Sequence, residues 1–120
     1  MRLLIATTVA LALAVVAQLA TAAPAKNVLR GTVGPGFVIT MKTAAGKPAT
    51  TVKAGTYTLI VQDKSAIHNF HLTGPGVNKA ITGVAFRGTK TAVVKLKPGR
   101  YIYLCDPHSF DLKGSFRVTA

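Results

Sequence analysis

Residues 101–114 read YIYLCDPHSFDLKG and hold the single cysteine of the 120-residue chain, Cys105, with His108 three positions later. The segment from Tyr101 to Cys105 is aromatic, apolar and β-branched, which is typical of a buried strand, and Asp106-Pro107 ends that strand at once. Cys105 is therefore expected at the last position of the strand and His108 in the turn beyond it, where the two side chains can converge. A thiolate together with an imidazole favours copper or zinc.

A third ligand has to come from another part of the chain. The segment IHNFH, residues 67–71, offers His68 and His71. We predict a strand from His68 to Thr73, in which residues three positions apart point to opposite faces of a sheet. Only one of the two histidines is therefore expected to face a mononuclear site.

Three features together resemble the cupredoxin family, the plastocyanin-like and azurin-like blue copper proteins. They are a His-Asn pair on one strand, a second strand that ends in Cys-x-x-His, and the closing segment KGSFRV, residues 113–118. The resemblance covers nearly all of the chain after residue 26. It implies one copper ion per chain held by His68, Cys105 and His108, with Asn69 tying its strand to the cysteine loop. His71 is then expected to be an ordinary surface or half-buried imidazole, with an auxiliary or transient copper contact as the alternative.

The fourth, axial position is where the chain departs from the family. Related proteins usually place a methionine a few residues after the second histidine, whereas the residue just before Lys113-Gly114 is Leu112, which has no donor atom. On the longer plastocyanin spacing the axial residue would be Lys113, whose protonated ammonium would repel the cation. We therefore assign the axial position to a non-ligating Leu112.

The first 25 residues have the pattern of a secretory signal peptide. Met1-Arg2 is followed by an uncharged stretch rich in Ala, Leu and Val that ends in small residues before Pro24. Small-x-small cleavage sites occur at residues 20–22 and 23–25. We expect residues 1–25 to be removed by cleavage between residues 22 and 26, and residues 26–120 to form one exported domain, periplasmic or secreted. An uncleaved membrane anchor is the alternative.

From residue 26 onward, short alternating runs are punctuated by Gly and Pro, and no helical period is present. Residues 37–42, 57–62 and 92–97 alternate so that each run has one mainly apolar face for a core. Further strands are predicted at residues 27–33, 68–73, 84–87, 101–105 and 115–119. This pattern, about eight short strands separated by turns, predicts an all-β Greek-key sandwich, which is also the fold that the resemblance implies.

The charge of the chain is strongly positive. It has 15 Lys and Arg against 3 acidic residues, and a formal net charge of +12 at pH 7. The cations are spread over loops and outward strand positions rather than clustered beside aromatic residues, which argues against nucleic-acid binding. We expect a monomer with an acidic redox partner protein, or with affinity for an anionic membrane surface, although solubility alone is the simpler explanation. Phe110, Pro107 and the two Gly-Pro-Gly turns are candidates for an apolar docking patch around His108.

The expected ligand set has a clear chemical consequence. Two imidazoles and a thiolate in a near-trigonal plane suit both Cu(I) and Cu(II), so an electron can be gained or lost with little ligand movement. Structural zinc sites normally have four donors, and Leu112 supplies none. We therefore predict an exported blue-copper electron-transfer protein, with a copper carrier or storage protein without redox turnover as the alternative.

No catalytic residue is assigned, and the chain is not predicted to be an enzyme. A cysteine nucleophile would need an oriented base and an oxyanion site beside an open cleft. Asp106 and Asp111, which flank the ligands, are expected to accept hydrogen bonds from loop N–H groups.

Overall fold

A computed structural model describes residues 27–120, so the predicted signal peptide and its cleavage site lie outside the described residues. The described chain forms nine strands: β1 (Val28–Val33), β2 (Ile39–Thr43), β3 (Thr51–Lys53), β4 (Gly55–Asp63), β5 (His71–Gly74), β6 (Val77–Ala80), β7 (Gly88–Leu96), β8 (Gly99–Leu104) and β9 (Lys113–Thr119). One 3₁₀ turn (Asp106–His108) lies between β8 and β9. Among these residues no helix is long and apolar enough to cross a membrane.

The strands form two sheets, in the orders β2-β1-β4-β7 and β3-β9-β8-β5-β6. The pairs β1–β4 and β3–β9 are parallel, and the remaining pairs are antiparallel. Their inner faces enclose one core. The prediction of an all-β sandwich is confirmed.

The inward faces follow from the alternation in the sequence. On β4 the buried apolar residues are Tyr57, Leu59 and Val61, and Leu59 lies opposite Leu29 of β1 and Ala92 of β7. Burying one aliphatic side chain of this size stabilises the fold by about 1.5–3 kcal/mol. A row of alternating apolar residues is therefore enough to fix which face of each strand points inward.

Aromatic rings fill the part of the core that lies against the second sheet. Tyr101 and Tyr103 of β8 are stacked with Phe116 of β9, at ring centroid distances of 5.5 and 6.4 Å. Small residues make room for them, since a Cβ at Gly74 or Gly114 would overlap the ring of Tyr101 or Tyr103. Glycine is required at these two positions for close approach of backbone and ring.

Two predicted strands differ from the structure. Residues 84–87 form no strand, because the backbone N–H of Phe86 donates to the carbonyl of Gly83 in a turn. The strand predicted from His68 begins only at His71, since the backbone N–H groups of Asn69 and Phe70 donate to side chains rather than to a neighbouring strand. The short edge strands β3 and β6 were not predicted.

Several strand ends meet at one end of the sandwich. In the first sheet, β1 ends at Val33 opposite Asp63, the last residue of β4. In the second sheet, β8 ends at Leu104 opposite His71, the first residue of β5. The loops that follow β1, β4 and β8 contact one another, and they carry the candidate site.

Candidate metal centre

Cys105 and His108 are brought together by a tight turn at the end of β8. Cys105 is fully buried, and Pro107 occupies the start of the 3₁₀ turn, where a missing N–H costs nothing. The backbone N–H of His108 donates to the carbonyl of Cys105 at 3.1 Å, which folds the chain back on itself. As a result Nδ1 of His108 lies 3.6 Å from Sγ of Cys105.

His68 is positioned by a loop rather than by a strand. The Asp63 carboxylate accepts the backbone N–H of Ser65 at 3.1 Å, and the Ser65 hydroxyl accepts that of Ile67 at 3.2 Å. These two successive side-chain turns direct the chain into the interior, where His68 is fully buried. The structure brings His68 beside Cys105 and His108, although the strand predicted to carry it begins three residues later.

The donor atoms of His68, Cys105 and His108 lie within 4.8 Å of one another. Nδ1 of His68 is 3.1 Å from Nδ1 of His108 and 3.7 Å from Sγ of Cys105. A point in the plane of the three atoms that is equidistant from them lies about 2 Å from each, close to the roughly 2.0–2.3 Å of metal bonds to nitrogen and sulfur. The triangle therefore fits a single transition-metal ion, and its donor set is the His₂Cys set of trigonal copper sites.

The ring of His68 presents Nδ1 to the other two donors. Nε2 is buried and has no hydrogen-bond partner among the described residues. The imidazole is thus not held by a bond on its far side, and Nδ1 is the nitrogen that meets the other two donors. His71 lies outside the cluster, as expected.

Asn69 links the two halves of the site. Its backbone N–H donates to Sγ of Cys105 at 3.4 Å. Its side chain makes two reciprocal bonds with Asp106: Nδ2 donates to the carboxylate at 2.7 Å, and Oδ1 accepts the Asp106 backbone N–H at 2.7 Å. We call this pair the Asn69–Asp106 clasp.

The expected role of Asp106 was wrong in its detail. Its carboxylate accepts hydrogen bonds from the side chains of Asn69 and His71, rather than from loop N–H groups. The physical reason is the position of Asp106 at the start of the 3₁₀ turn, opposite the segment that carries both partners. The contact between His71 and Asp106 was not predicted, and nothing local in the sequence indicates it.

Leu112 closes the loop that carries the cysteine. Its backbone N–H donates to the carbonyl of His108 at 2.8 Å, and its carbonyl accepts the N–H of Cys105 at 3.0 Å. Its side chain is 2% exposed and packs in the core. A buried, apolar residue therefore follows the cluster, while the axial assignment remains a prediction.

Phe37 covers the cluster from outside. Its ring centroid lies 5.0 Å from that of His68 and 4.8 Å from that of His108, in edge-to-face geometry, and the residue is 61% exposed. The prediction that Phe37 begins a strand with a core-facing side chain is wrong, since pairing starts with Val33 opposite Ile39 and leaves residues 34–38 as the connecting loop. Large apolar side chains are exposed here and on the neighbouring loops at Phe37, Val38, Ile67 and Phe110.

Among the titratable groups with a shifted pKa, Tyr103 lies nearest the cluster in sequence. Burial raises the pKa of Tyr103, and a backbone hydrogen bond with Met41 acts in the opposite direction. Burial also raises the pKa of Tyr57 on β4. Both phenols therefore stay neutral at ordinary pH, so Tyr103 adds no charge beside the cysteine strand.

Comparison with known proteins gives relatives that agree with this geometry. No family model matches the chain. Over 73 residues it is 38% identical to Amicyanin-alpha of Methylorubrum extorquens, which covers 59% of this chain and 60% of that protein, somewhat less than two thirds of its length.

Solved structures of rusticyanin, described as a copper protein, share the fold. One has a TM-score of 0.54 at 19% identity, covering 79% of both chains. Reduced rusticyanin has a TM-score of 0.53 at 21% identity, covering 79% of this chain and 81% of that one. A methionine-to-leucine variant of rusticyanin has a TM-score of 0.52 at 22% identity, covering 79% and 78%. The described residues therefore share the two-sheet sandwich fold of rusticyanin, and part of the chain is similar in sequence to an amicyanin.

Proposed function

We propose that this protein is an electron carrier that holds one copper ion at His68, Cys105 and His108. The observation that carries the proposal is the triangle of donor atoms, with sides of 3.1, 3.6 and 3.7 Å. Copper bound there would supply a one-electron couple between Cu(I) and Cu(II). Leu112 occupies the axial position in this proposal without donating an atom.

The protein's own contribution is to keep the donors in place. His68 and Cys105 are fully buried, so water is excluded from two of the three ligands. The Asn69–Asp106 clasp and the backbone bonds of Leu112 fix the loop on either side of Cys105. Since the donors are held by hydrogen bonds within the fold, a change in oxidation state requires little rearrangement, which is what an electron carrier needs.

His108 is the ligand closest to solvent, and we propose its surroundings as the surface for electron exchange. It is partly exposed, whereas the other two donors are not. The exposed apolar side chains here would exclude water from the interface with a docked redox partner; they are Phe37, Val38, Ile67 and Phe110. An apolar contact of this kind suits a transient complex in which orientation is set by other forces.

Charge supplies such a force. Of the three aspartates, Asp63 is buried and Asp106 is paired with His71. Cations lie directly opposite each other on neighbouring strands, Arg30 with Lys42 and Arg100 with Arg117. Such pairs are unfavourable within the protein itself, and they support an acidic redox partner. We propose that the protein meets this partner as an exported monomer, periplasmic or secreted. An anionic membrane surface is a further candidate partner, and nucleic acid is not.

The decisive experiment is a copper titration of the purified domain, followed by voltammetry. We expect one copper per chain, an intense blue thiolate-to-copper band, and reversible reduction with the metal retained. The band should be lost in Cys105→Ser and strongly altered in His68→Ala and His108→Ala, but kept in His71→Ala. Loss of copper on each reduction cycle would instead indicate a carrier or storage protein, and a blue band that depends on His71 rather than His68 would overturn the ligand set.

The signal peptide is tested separately by the intact mass of the exported protein. We expect the mature chain to begin between Ala23 and Lys26, in the soluble fraction. A full-length chain retained in the membrane fraction would show that residues 1–25 are an anchor.

A further inference from the structure

We propose that His71 is a positioning residue of the copper centre, acting through Asp106 on the loop that carries Cys105. The proposal rests on the function proposed above. His71 is not a ligand, since it lies outside the cluster of three donors. Its two ring nitrogens are nevertheless both engaged, in contacts that join the centre to the edge of the second sheet.

The contacts of His71 are short and directional. Nδ1 lies 2.9 and 3.1 Å from the two carboxylate oxygens of Asp106. Nε2 lies 2.6 Å from Oδ1 of Asn78 on β6, the strand that pairs with β5 on its outer side. The imidazole thus bridges strand β6 and the loop after β8.

The direction of the important bond does not depend on how the Asn78 amide is assigned. A carboxylate is an acceptor, so Nδ1–H of His71 donates to Asp106. The Asn78 amide can present either its oxygen or its nitrogen to Nε2. In both cases His71 holds the Asp106 carboxylate from the solvent side.

Asp106 is held from two directions as a result. Asn69 binds it from the segment that carries His68, through Nδ2 and Oδ1. His71 binds it from β5, with Nδ1 at 2.9 Å from the nearer carboxylate oxygen. Because the Asp106 side chain is 47% exposed, one partner alone would leave its carboxylate free to turn towards water.

This arrangement bears directly on the ligands. Asp106 follows Cys105 and opens the 3₁₀ turn that ends at His108. A carboxylate fixed on both sides therefore fixes the direction in which the chain leaves Cys105. In a chain with 15 Lys and Arg, the partner of this carboxylate is the short, rigid imidazole, which can reach Asn78 at the same time. A flexible lysine would pin the carboxylate without linking it to β6.

Partners that orient ligands typically change metal affinity about 10–100-fold when they are removed. We therefore expect His71→Leu to bind Cu(I) about 10-fold more weakly than the wild type, measured by competition with a chromophoric Cu(I) chelator at neutral pH. His71→Gln, which keeps an N–H donor for Asp106, should stay within about threefold. Both variants should keep the blue band on oxidation. Thr73→Val, two residues along the same face of β5, is the matched control and should bind as the wild type does.

The route through Asp106 is tested by a double-mutant cycle. In an Asp106→Ala background, His71→Leu should change Cu(I) affinity by less than about twofold, because its partner is already absent. An equal loss in both backgrounds would overturn the proposal. The proposal would also be overturned if the loss of Cu(I) affinity in His71→Leu were no larger than the loss of stability of the metal-free protein accounts for.

Hydrogen exchange of the metal-free protein gives a readout that does not depend on copper. The backbone N–H of Asp106, which donates to Asn69, should exchange about 10-fold faster in His71→Leu than in the wild type, and at the wild-type rate in Thr73→Val. If the wild type bound no copper but this difference appeared, the proposed function would fail while the positioning role stood. If copper bound and neither exchange nor affinity changed, only the role of His71 would be refuted.

Discussion

Replacing Asn69 with alanine tests how the cysteine loop is held to the segment that carries His68. The substitution removes both side-chain bonds of the Asn69–Asp106 clasp, each 2.7 Å long. It leaves the backbone N–H of residue 69, which donates to Sγ of Cys105, in place. The change therefore separates the connection between the two segments from the bond to the sulfur.

The loss of stability follows from the two groups of Asp106, its carboxylate and its backbone N–H, that lose a hydrogen-bond partner. A hydrogen bond to a charged group contributes about 1.5–3 kcal/mol, and the lower end applies here because the carboxylate is partly exposed and regains water. The backbone N–H of Asp106 loses its acceptor next to a residue that is only 3% exposed, at a cost of about 1–3 kcal/mol. We expect Asn69→Ala to lose about 3 kcal/mol, which lowers Tm by roughly 12 °C or more in a domain of this size.

Urea unfolding of the metal-free protein measures this loss, and chelator competition measures copper affinity, which should fall about 10–100-fold. Thr73→Val, which lies outside the clasp and outside the His71 contacts, is the control and should change stability by less than about 0.5 kcal/mol. An Asn69→Ala protein as stable as the control would refute the clasp. A destabilised protein with unchanged copper affinity would show that the clasp supports the fold but not the ligands.

Three further substitutions probe the axial position, the core and the buried phenols. Leu112→Met conserves volume, so it should reduce the free energy of unfolding by less than about 1.5 kcal/mol. In voltammetry it should lower the reduction potential of a still-blue site, because a thioether stabilises Cu(II), whereas Lys113→Ala should change the potential little. The reverse pattern would show that Leu112 does not occupy the axial position. Gly74→Ala should lose about 1–3 kcal/mol in urea unfolding, because its Cβ overlaps an aromatic ring, whereas Gly83→Ala, with open space, should be near neutral. Burial raises the pKa of Tyr103 above its ordinary 10.0, so the phenol ionises first in the unfolded state and stability should fall as pH rises past 10.0. Tyr103→Phe should weaken that fall in stability. An unchanged slope of stability against pH would contradict this role of Tyr103.

The part of the site that could be predicted from sequence is the part that is local. Cys105 and His108 are three residues apart, and a strand broken by Asp-Pro is enough to fold one back towards the other. The inward faces of β4 and β7 could likewise be predicted from the sequence, because alternation along a strand is set by the pleat itself. Neither inference needs knowledge of what lies across the sandwich.

The parts that failed depend on contacts distant in sequence. Phe37 belongs to an alternating run, but the pairing of Val33 with Ile39 leaves it in a loop, where it lies on the two imidazoles. His68 lies beside Cys105 and His108, yet its direction is set by the turns at Asp63 and Ser65 rather than by strand parity. Strand β6 was missed because an edge strand with an exposed, polar pattern gives no alternation to detect.

The donors are held by hydrogen bonds between groups of the protein itself. Cys105 is bound through its N–H to Leu112, through its carbonyl to His108, and at its sulfur by the N–H of Asn69. None of these bonds includes an ion, so the energy that places the sulfur is already present in folding. Copper would therefore meet donors spaced for it in either oxidation state, and its binding would add to the stability of the native state by mass action rather than create that state. A fold that sets the ligand geometry independently of the metal is one in which the geometry can stay the same while the charge on the metal changes.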